Sequence, residues 1–187
     1  QAVGQGLHTT TATRQSRKMI GRYRGQSGLT AVQTRLLVIE QGNAETAYEV
    51  LRRELREVWL SEASDFTPWL AQEENIKLLG DTIGIELELD SQEKEVGPFR
   101  ADILCKDTMT DNWVLIENQL QRTDHTHLGQ LLTYAAGLNA VTIVWISRQF
   151  TEEHRAALDW LNARTDDTIN LFGLEIELWQ IGDSPVA

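Results

Sequence analysis

Phe99-Arg100-Ala101-Asp102-Ile103-Leu104-Cys105-Lys106 and Trp113-Val114-Leu115-Ile116-Glu117-Asn118-Gln119-Leu120, either side of the polar segment Asp107 to Asn112, decide the fold. Both stretches have strand composition, and the spacer has turn composition, so they read as an antiparallel hairpin. With the turn centred between Met109 and Thr110, Lys106 faces Trp113, Leu104 faces Leu115 and Asp102 faces Glu117. Opposed residues share a face, with Cβ atoms about 4.5–5.5 Å apart. Gln119, two positions beyond Glu117, projects to that same face. Two opposed carboxylates repel unless something positive lies between them. A hard divalent cation, Mg²⁺ or Mn²⁺, suits such a pair because it prefers carboxylate oxygens and keeps water for use as a nucleophile. The parity is critical: a one-residue slip would throw the two acids onto opposite faces.

Glu117 ends a strand that is apolar on both faces, Trp113 to Ile116. A charge there reads either as the chain emerging into solvent or as a site. Outward from the hairpin, Ile85, Leu87 and Leu89 alternate with Glu86, Glu88 and Asp90, which predicts a half-buried strand ending before the Gly97-Pro98 break. Leu128, Leu131, Leu132, Ala135 and Leu138 form one stripe of a helix over about 123–138. Val141 to Ile146 is a nearly continuous apolar run, as in a strand covered on both faces. Thr151 to Asn162 reads as a helix, and Leu174, Ile176 and Leu178 as part of a last strand.

Upstream, Ala47, Val50, Leu51, Leu55, Val58 and Trp59 recur at helical spacing and predict an amphipathic helix over 44–63. A second helix starts at Thr67-Pro68 and runs through Trp69, Leu70, Ile76 and Leu79 to Gly80 or Gly84. Leu36 to Ile39 suits a short strand. The core order is therefore helix, three strands, helix, strand, helix, strand. That order makes an α/β domain over 44–187, a mixed sheet flanked by helices, with antiparallel hairpins first and a crossover helix later. Residues 1–43 read as a basic, poorly ordered or atypical arm.

The chain has 187 residues, a net charge of −11 and 41% hydrophobic side chains, an ordinary globular composition. A single cysteine, Cys105, excludes an intrachain disulfide framework and a cysteine-cluster zinc site; on the hairpin's other face it reads as a buried, inert thiol. No apolar run reaches the ~18 residues of a spanning helix, and no signal peptide is legible at the start, so no membrane is expected and the expected location is cytoplasmic. The basic side chains Arg14, Arg17, Lys18, Arg22, Arg24 and Arg35 gather in the first forty residues against one acid, Glu40, leaving an acidic body. Such an arm is either a nucleic-acid-binding extension or a solvated tail. An acidic body argues against coating DNA, yet leaves room for an enzyme that meets a few phosphates locally. Dinucleotide, nucleotide-triphosphate and serine-hydrolase motifs are absent. His125-x-His127 can be read as a zinc pair, but side chains two apart at a helix start diverge, which favours solvent exposure.

Asp102 followed by Glu117-x-Gln119 on adjacent strands resembles the PD-(D/E)XK phosphodiesterase motif, with Gln in place of the usual Lys. Gln130-Leu131-Leu132-Thr133-Tyr134 resembles the Gln-x-x-x-Tyr motif of the RecB-like exonuclease branch. From about Leu55 to Pro185 the chain is similar to the N-terminal, nuclease-like part of an uncharacterised bacterial and archaeal family. The segments that carry this likeness include Asp65 to Leu70, Gly97 to Asp102 and Thr123 to Leu131. The resemblance implies a restriction-endonuclease-like sheet in which Asp102 and Glu117 hold one or two Mg²⁺ (or Mn²⁺) ions. It also implies that a metal-activated water attacks a DNA phosphodiester, in endo or exo mode. Gln119, neither a cation nor a base, would orient that water by hydrogen bonding. A further acid from the first core helix is expected at Glu73 or Glu74, with Glu74 favoured four residues after Leu70.

Gln130 and Tyr134 would contact the site or a substrate phosphate, or else cap the edge of the core. Arg100 and Arg122 would meet phosphates, or neutralise the two acids. The competing expectation is a catalytically silent domain that binds nucleic acid or a protein with the same sheet. A third is a chain that works mainly in assembly, as a homodimer or beside a C-terminal domain missing from this sequence.

Overall fold

A computed structural model describes residues 34–40, 50–166 and 168–181. The elements are β1 (Thr34–Glu40), β2 (Val50–Arg53), α1 (Leu55–Val58), a π-helical turn (Glu62–Phe66), α2 (Thr67–Leu70), α3 (Glu73–Ile83), β3 (Leu87–Val96), β4 (Phe99–Asp107), β5 (Trp113–Arg122), α4 (His125–Leu138), β6 (Thr142–Gln149), α5 (Glu152–Asn162) and β7 (Asn170–Ile181). Their sheet runs β1-β7-β6-β5-β4-β3, with β2 also on β7. Pairing is antiparallel from β3 to β5 and parallel across β5, β6, β7 and β1. This is the expected mixed α/β sheet: two hairpins, then two helical crossovers.

The alternation of side chains explains why both faces are covered. Val114, Ile116, Leu120, Val144 and Ile146 pack with Leu70, Ile76 and Leu79 on one face. Leu115, Ile143 and Trp145 pack with Leu131, Tyr134, Ala135 and Leu158 on the other. Helices α4 and α5 thus return on a single side, as successive parallel crossovers of one hand require. Strands β5 and β6 are buried along most of their length, which accounts for their unbroken apolar runs. Among the described residues, no helix is long and apolar enough to cross a membrane.

Two expected helices differ from the structure. Over 50–63 the chain is not one helix but β2, a single turn at α1, and the start of the π turn; residues 44–49 lie outside the described residues. Strand β7 outruns β6: β6 pairs with Asn170 to Glu175, and Val50 to Arg53 form a ladder with Leu178 to Ile181 beyond it. Unpaired strand backbone outweighs helical periodicity here. Of the apolar residues that suggested the helix, Leu55 and Trp59 are buried, and Trp59 packs on Phe66 and Trp69 with ring centroids 4.9 and 4.7 Å away. The helix expected from Thr67 is likewise two helices, because Gln72 is extended (φ −63°, ψ 142°) and breaks the phase between α2 and α3.

Helix α3 closes at Gly84, whose φ of 77° is left-handed, and its N–H donates to the Gly80 carbonyl at 2.8 Å. The chain leaving it returns so closely that a Cβ on Gly80 would stand 2.5 Å from the Ile85 carbonyl oxygen. In α4, by contrast, a Cβ on Gly129 would meet nothing within 4 Å. Denaturant titration should therefore separate two glycines that sequence alone treats alike. Gly80→Ala is expected to destabilise by about 1–3 kcal/mol through overpacking, and Gly129→Ala to be neutral or to stabilise by up to about 1 kcal/mol.

Candidate active site at a fork in the sheet

The β4–β5 ladder has the register expected from the turn, from Lys106↔Trp113 to Ile103↔Ile116, and stops there. Beyond it β4 stays on β3, with Ala101 opposite Lys94 and Phe99 opposite Val96. Strand β5 stays on β6, with Glu117 opposite Trp145 and Gln119 opposite Ser147. The sheet forks at the next pair along, Asp102 and Glu117. The hairpin register alone predicts that they are ladder partners, but their backbones are not paired; their side chains bridge the gap. The Asp102 N–H donates to Glu117 Oε1 at 3.2 Å. The Asn118 N–H and its side-chain Nδ2 donate to Asp102 Oδ2 at 2.9 and 2.7 Å. Asn118 in turn meets Thr67 Oγ1 from α2 at 3.2 Å, which ties the fork to the opposite helical layer.

Both carboxyls are unsettled as anions. Burial is the largest cause of each shift, and it pushes Asp102 up to about 6, with the charges of Glu93 and Glu62 adding to it. Glu117, 5% exposed, is pushed up to about 9 by burial and then by Asp102 and Glu93. Hydrogen bonds from the backbone oppose both shifts without cancelling them. None of the ion pairs among the described residues includes either group.

Two acids that sequence reasoning missed complete the electrostatics. Glu93 lies between the paired Gln92↔Ile103 and Lys94↔Ala101, hence across from Asp102, with a left-handed φ of 51°. Its Oε1 is buried without a hydrogen-bond partner among the described residues, and its Oε2 is 3.8 Å from Arg100. Glu62, in the π turn, accepts the Leu120 N–H at 2.9 Å and pairs with Arg56 at 2.7 Å. A signal for Glu93 was available in principle, because extending the β3–β4 register one step beyond Gln92 sets it against Asp102. Nothing comparable marked Glu62, whose place depends on the helix break.

The remaining expected residues divide. Gln119 is buried beside Glu117, but its Nε2 donates to the Arg122 carbonyl at 3.0 Å and to Asp124 Oδ2 at 2.7 Å. Its Oε1 is buried and has no hydrogen-bond partner among the described residues. Tyr134 is brought to the site, for burial and the nearby charges of Glu117 and Asp102 raise its hydroxyl pKa. Gln130 lies one turn before it on α4, half-buried. Glu74 is a correction: it is exposed in the first turn of α3, because the break at Gln72 cancels the phase counted from Leu70. Arg100 is exposed and faces Glu93 rather than the two carboxylates, while exposed Arg122 acts on Glu153 and His154 near α5. Cys105 is buried as expected, its thiol pushed up to about 12 mainly by burial. His125 and His127 part company: His125 Nδ1 lies 2.9 Å from His154 Nε2, and His127 Nδ1 lies 3.0 Å from both oxygens of Asp124. Among the described residues no three His, Cys, Asp or Glu side chains stand close enough to enclose a metal by themselves.

No family model matches the chain, and no curated protein matches it. Among solved structures it is similar to a repair endonuclease from Pyrococcus abyssi, at 17% identity and a TM-score of 0.45 over 62% of this chain and 47% of that one. It is also similar to EndoMS in a complex with double-stranded DNA, at 16% identity and a TM-score of 0.43 over 59% and 43% of the two chains. The chain spans less than half the length of either.

The raised carboxyls fix a pH dependence for the metal-free protein. Each keeps its proton in the folded state above the pH at which the unfolded chain has lost it, so the stability they contribute is lost as pH rises. His154, held below its ordinary 6.5 by burial and by His125, has the opposite sign, but its effect is complete by that pH. From pH 7 to 9 Glu117 dominates, and the melting temperature in EDTA should fall. Glu117→Gln should flatten that slope in a calorimetric series, whereas a slope equal to wild type would contradict the burial of a protonated Glu117.

Proposed function

We propose that this chain is a divalent-metal-dependent phosphodiesterase domain acting on DNA. The observation that carries the reading is the pair of carboxyls at the fork, Glu117 buried and Asp102 half-buried, both raised by burial, with Glu117 raised further by Asp102 and neither in an ion pair among the described residues. Such a site is poor at holding two anions and well suited to holding two anions around a cation. The donor set fits a hard ion: the carboxylate oxygens of Asp102 and Glu117, which the hydrogen bonds across the fork bring together. Mg²⁺ in particular binds through one or two carboxylates and completes its shell with water and substrate phosphate, so a closed cage of protein ligands is not needed. DNA as the substrate rests on the likeness of Asp102 and Glu117-Asn118-Gln119 to the PD-(D/E)XK motif.

Asp102 and Glu117 would hold the ion. When bound, it would supply Lewis acidity toward the phosphate and lower the pKa of a coordinated water. The protein's own contribution is positional. Asn118 fixes the Asp102 carboxylate through two hydrogen bonds to one oxygen, and the Asp102 N–H fixes Glu117. Tyr134, buried on α4, is near enough for the charges of Glu117 and Asp102 to act on its hydroxyl.

Cleavage of labelled duplex and single-stranded DNA in Mg²⁺ or Mn²⁺, and in EDTA, tests the reading. Activity should depend on the metal and fall by at least about 100-fold in Glu117→Gln and Asp102→Asn, while DNA binding persists. Calorimetry should show Mn²⁺ binding in wild type and its loss in both variants. Metal binding or DNA binding without cleavage would leave the silent-domain alternative, and activity equal in EDTA and in Asp102→Asn would falsify the assignment.

A further inference from the structure

Helices α4 and α5 begin side by side, and a chain of buried polar groups joins their first turns. Thr123, just before the cap of α4, donates its N–H to the Gln149 carbonyl at 3.0 Å, and its Oγ1 accepts the Thr151 N–H at 3.0 Å. Thr151 caps α5 by accepting the His154 N–H at 3.1 Å. His154, 4% exposed, sets Nδ1 at 2.8 Å from Thr123 Oγ1 and 3.0 Å from Thr151 Oγ1. Its Nε2 lies 2.9 Å from Nδ1 of His125, the first residue of α4. The two rings meet edge to face, with centroids 4.9 Å apart.

Two imidazoles bonded nitrogen to nitrogen hold together only while one of the facing nitrogens keeps a lone pair. The bond survives with both rings neutral or with one of them charged. When both are charged, N–H faces N–H and like charge faces like charge. We propose that this histidine pair is an acid-operated catch: holding at most one proton, it fastens the start of α4 to the start of α5, and a second proton opens it. The inference does not depend on the phosphodiesterase reading.

The surroundings set where that second proton enters. Burial first, and then the charge of His125, hold His154 below its ordinary 6.5. Asp124, at the cap of α4, and Glu153, on α5 itself, favour the charged ring, and Arg122 at the end of β5 opposes it. From β6 the neutral ring of Trp145 packs on His154 with centroids 5.4 Å apart. His125 is exposed, so the pair is open to solvent protons on that side. The folded chain resists a proton that the unfolded chain accepts at the ordinary value. What the catch contributes to stability is therefore full above pH 6.5 and is lost as pH falls below it. The turn it secures also carries Asp124, which holds Gln119 of β5 at 2.7 Å, so the catch steadies the end of the helix that braces this strand.

Nuclear magnetic resonance of the isotopically labelled 187-residue chain, without metal or substrate, tests the proposal from about pH 8 to about pH 5, the range in which histidine titrates. Ring nitrogen shifts should show His154 neutral at its ordinary 6.5 and charged only below it. The amides of Leu128 in α4 and Arg155 in α5, which donate to the Asp124 and Thr151 carbonyls, should lose protection from exchange in step. After correction for intrinsic exchange, that loss should reach up to about tenfold per pH unit. In His125→Asn the amide oxygen accepts from the Nε2–H of a charged ring as well as of a neutral one. There His154 should titrate nearer its ordinary value, and protection should stay level across the same range. A wild-type His154 already charged at 6.5, or one that titrates with no loss of protection, overturns the catch. So does a loss of equal size in wild type and His125→Asn, which assigns the opening to another group.

Discussion

Where a sheet divides, the backbone on the two inner edges loses its hydrogen-bonding partners, and buried N–H groups must find others. At Asp102 and Asn118 those partners are carboxylates. Each strand lends an acidic side chain to the other's orphaned N–H, so the fork is closed by side chains in place of a ladder. The backbone is satisfied, but two carboxyls now stand together, Glu117 buried and Asp102 half-buried, beside the apolar strands β5 and β6. Opposed anions there are unfavourable until protons or a cation neutralise them. The same geometry that stabilises the fork therefore makes an acid-lined site, and the chemistry assigned to it follows from that.

The helical layers hold the fork from both sides. Thr67, at the start of α2, fixes Asn118 and through it Asp102. On the other face the start of α4 is tied to β5 through Gln119 and Asp124, and Tyr134, whose hydroxyl feels the charges of both carboxyls, follows about two and a half turns further along. Because Asp124 is at once the helix cap, the partner of Gln119 and the partner of His127, the placement of the imidazole is coupled to the placement of the strand that carries Glu117.

Most of the sheet was legible in the sequence because its signals are local: alternation in β3, turn composition between β4 and β5, and long apolar runs where strands are covered twice. The hairpin parity that brings Asp102 to Glu117 could be read from the turn alone. What could not be read depends on contacts distant in sequence. Val50 to Arg53 form a strand because β7 outruns β6, and nothing in their own helical spacing records this. Glu74 is turned outward by an extended residue at Gln72 that carries no Gly or Pro to announce it. The fork itself is invisible to pattern reading, since Phe99 to Lys106 looks like an uninterrupted strand. For the same reason Gln119, which reads as a free water-orienting amide, proves to be committed to the cap of α4.

The central claim is that the fork between β4 and β5 binds a divalent cation through Asp102 and Glu117. Anomalous diffraction from a crystal soaked in Mn²⁺ at pH 8 tests it most directly. The account requires an anomalous peak about 2.0–2.3 Å from oxygens of both carboxylates, a distance typical of small hard cations. Ordered carboxyls with no peak between them, while Mn²⁺ occupies other sites in the same crystal, would contradict it.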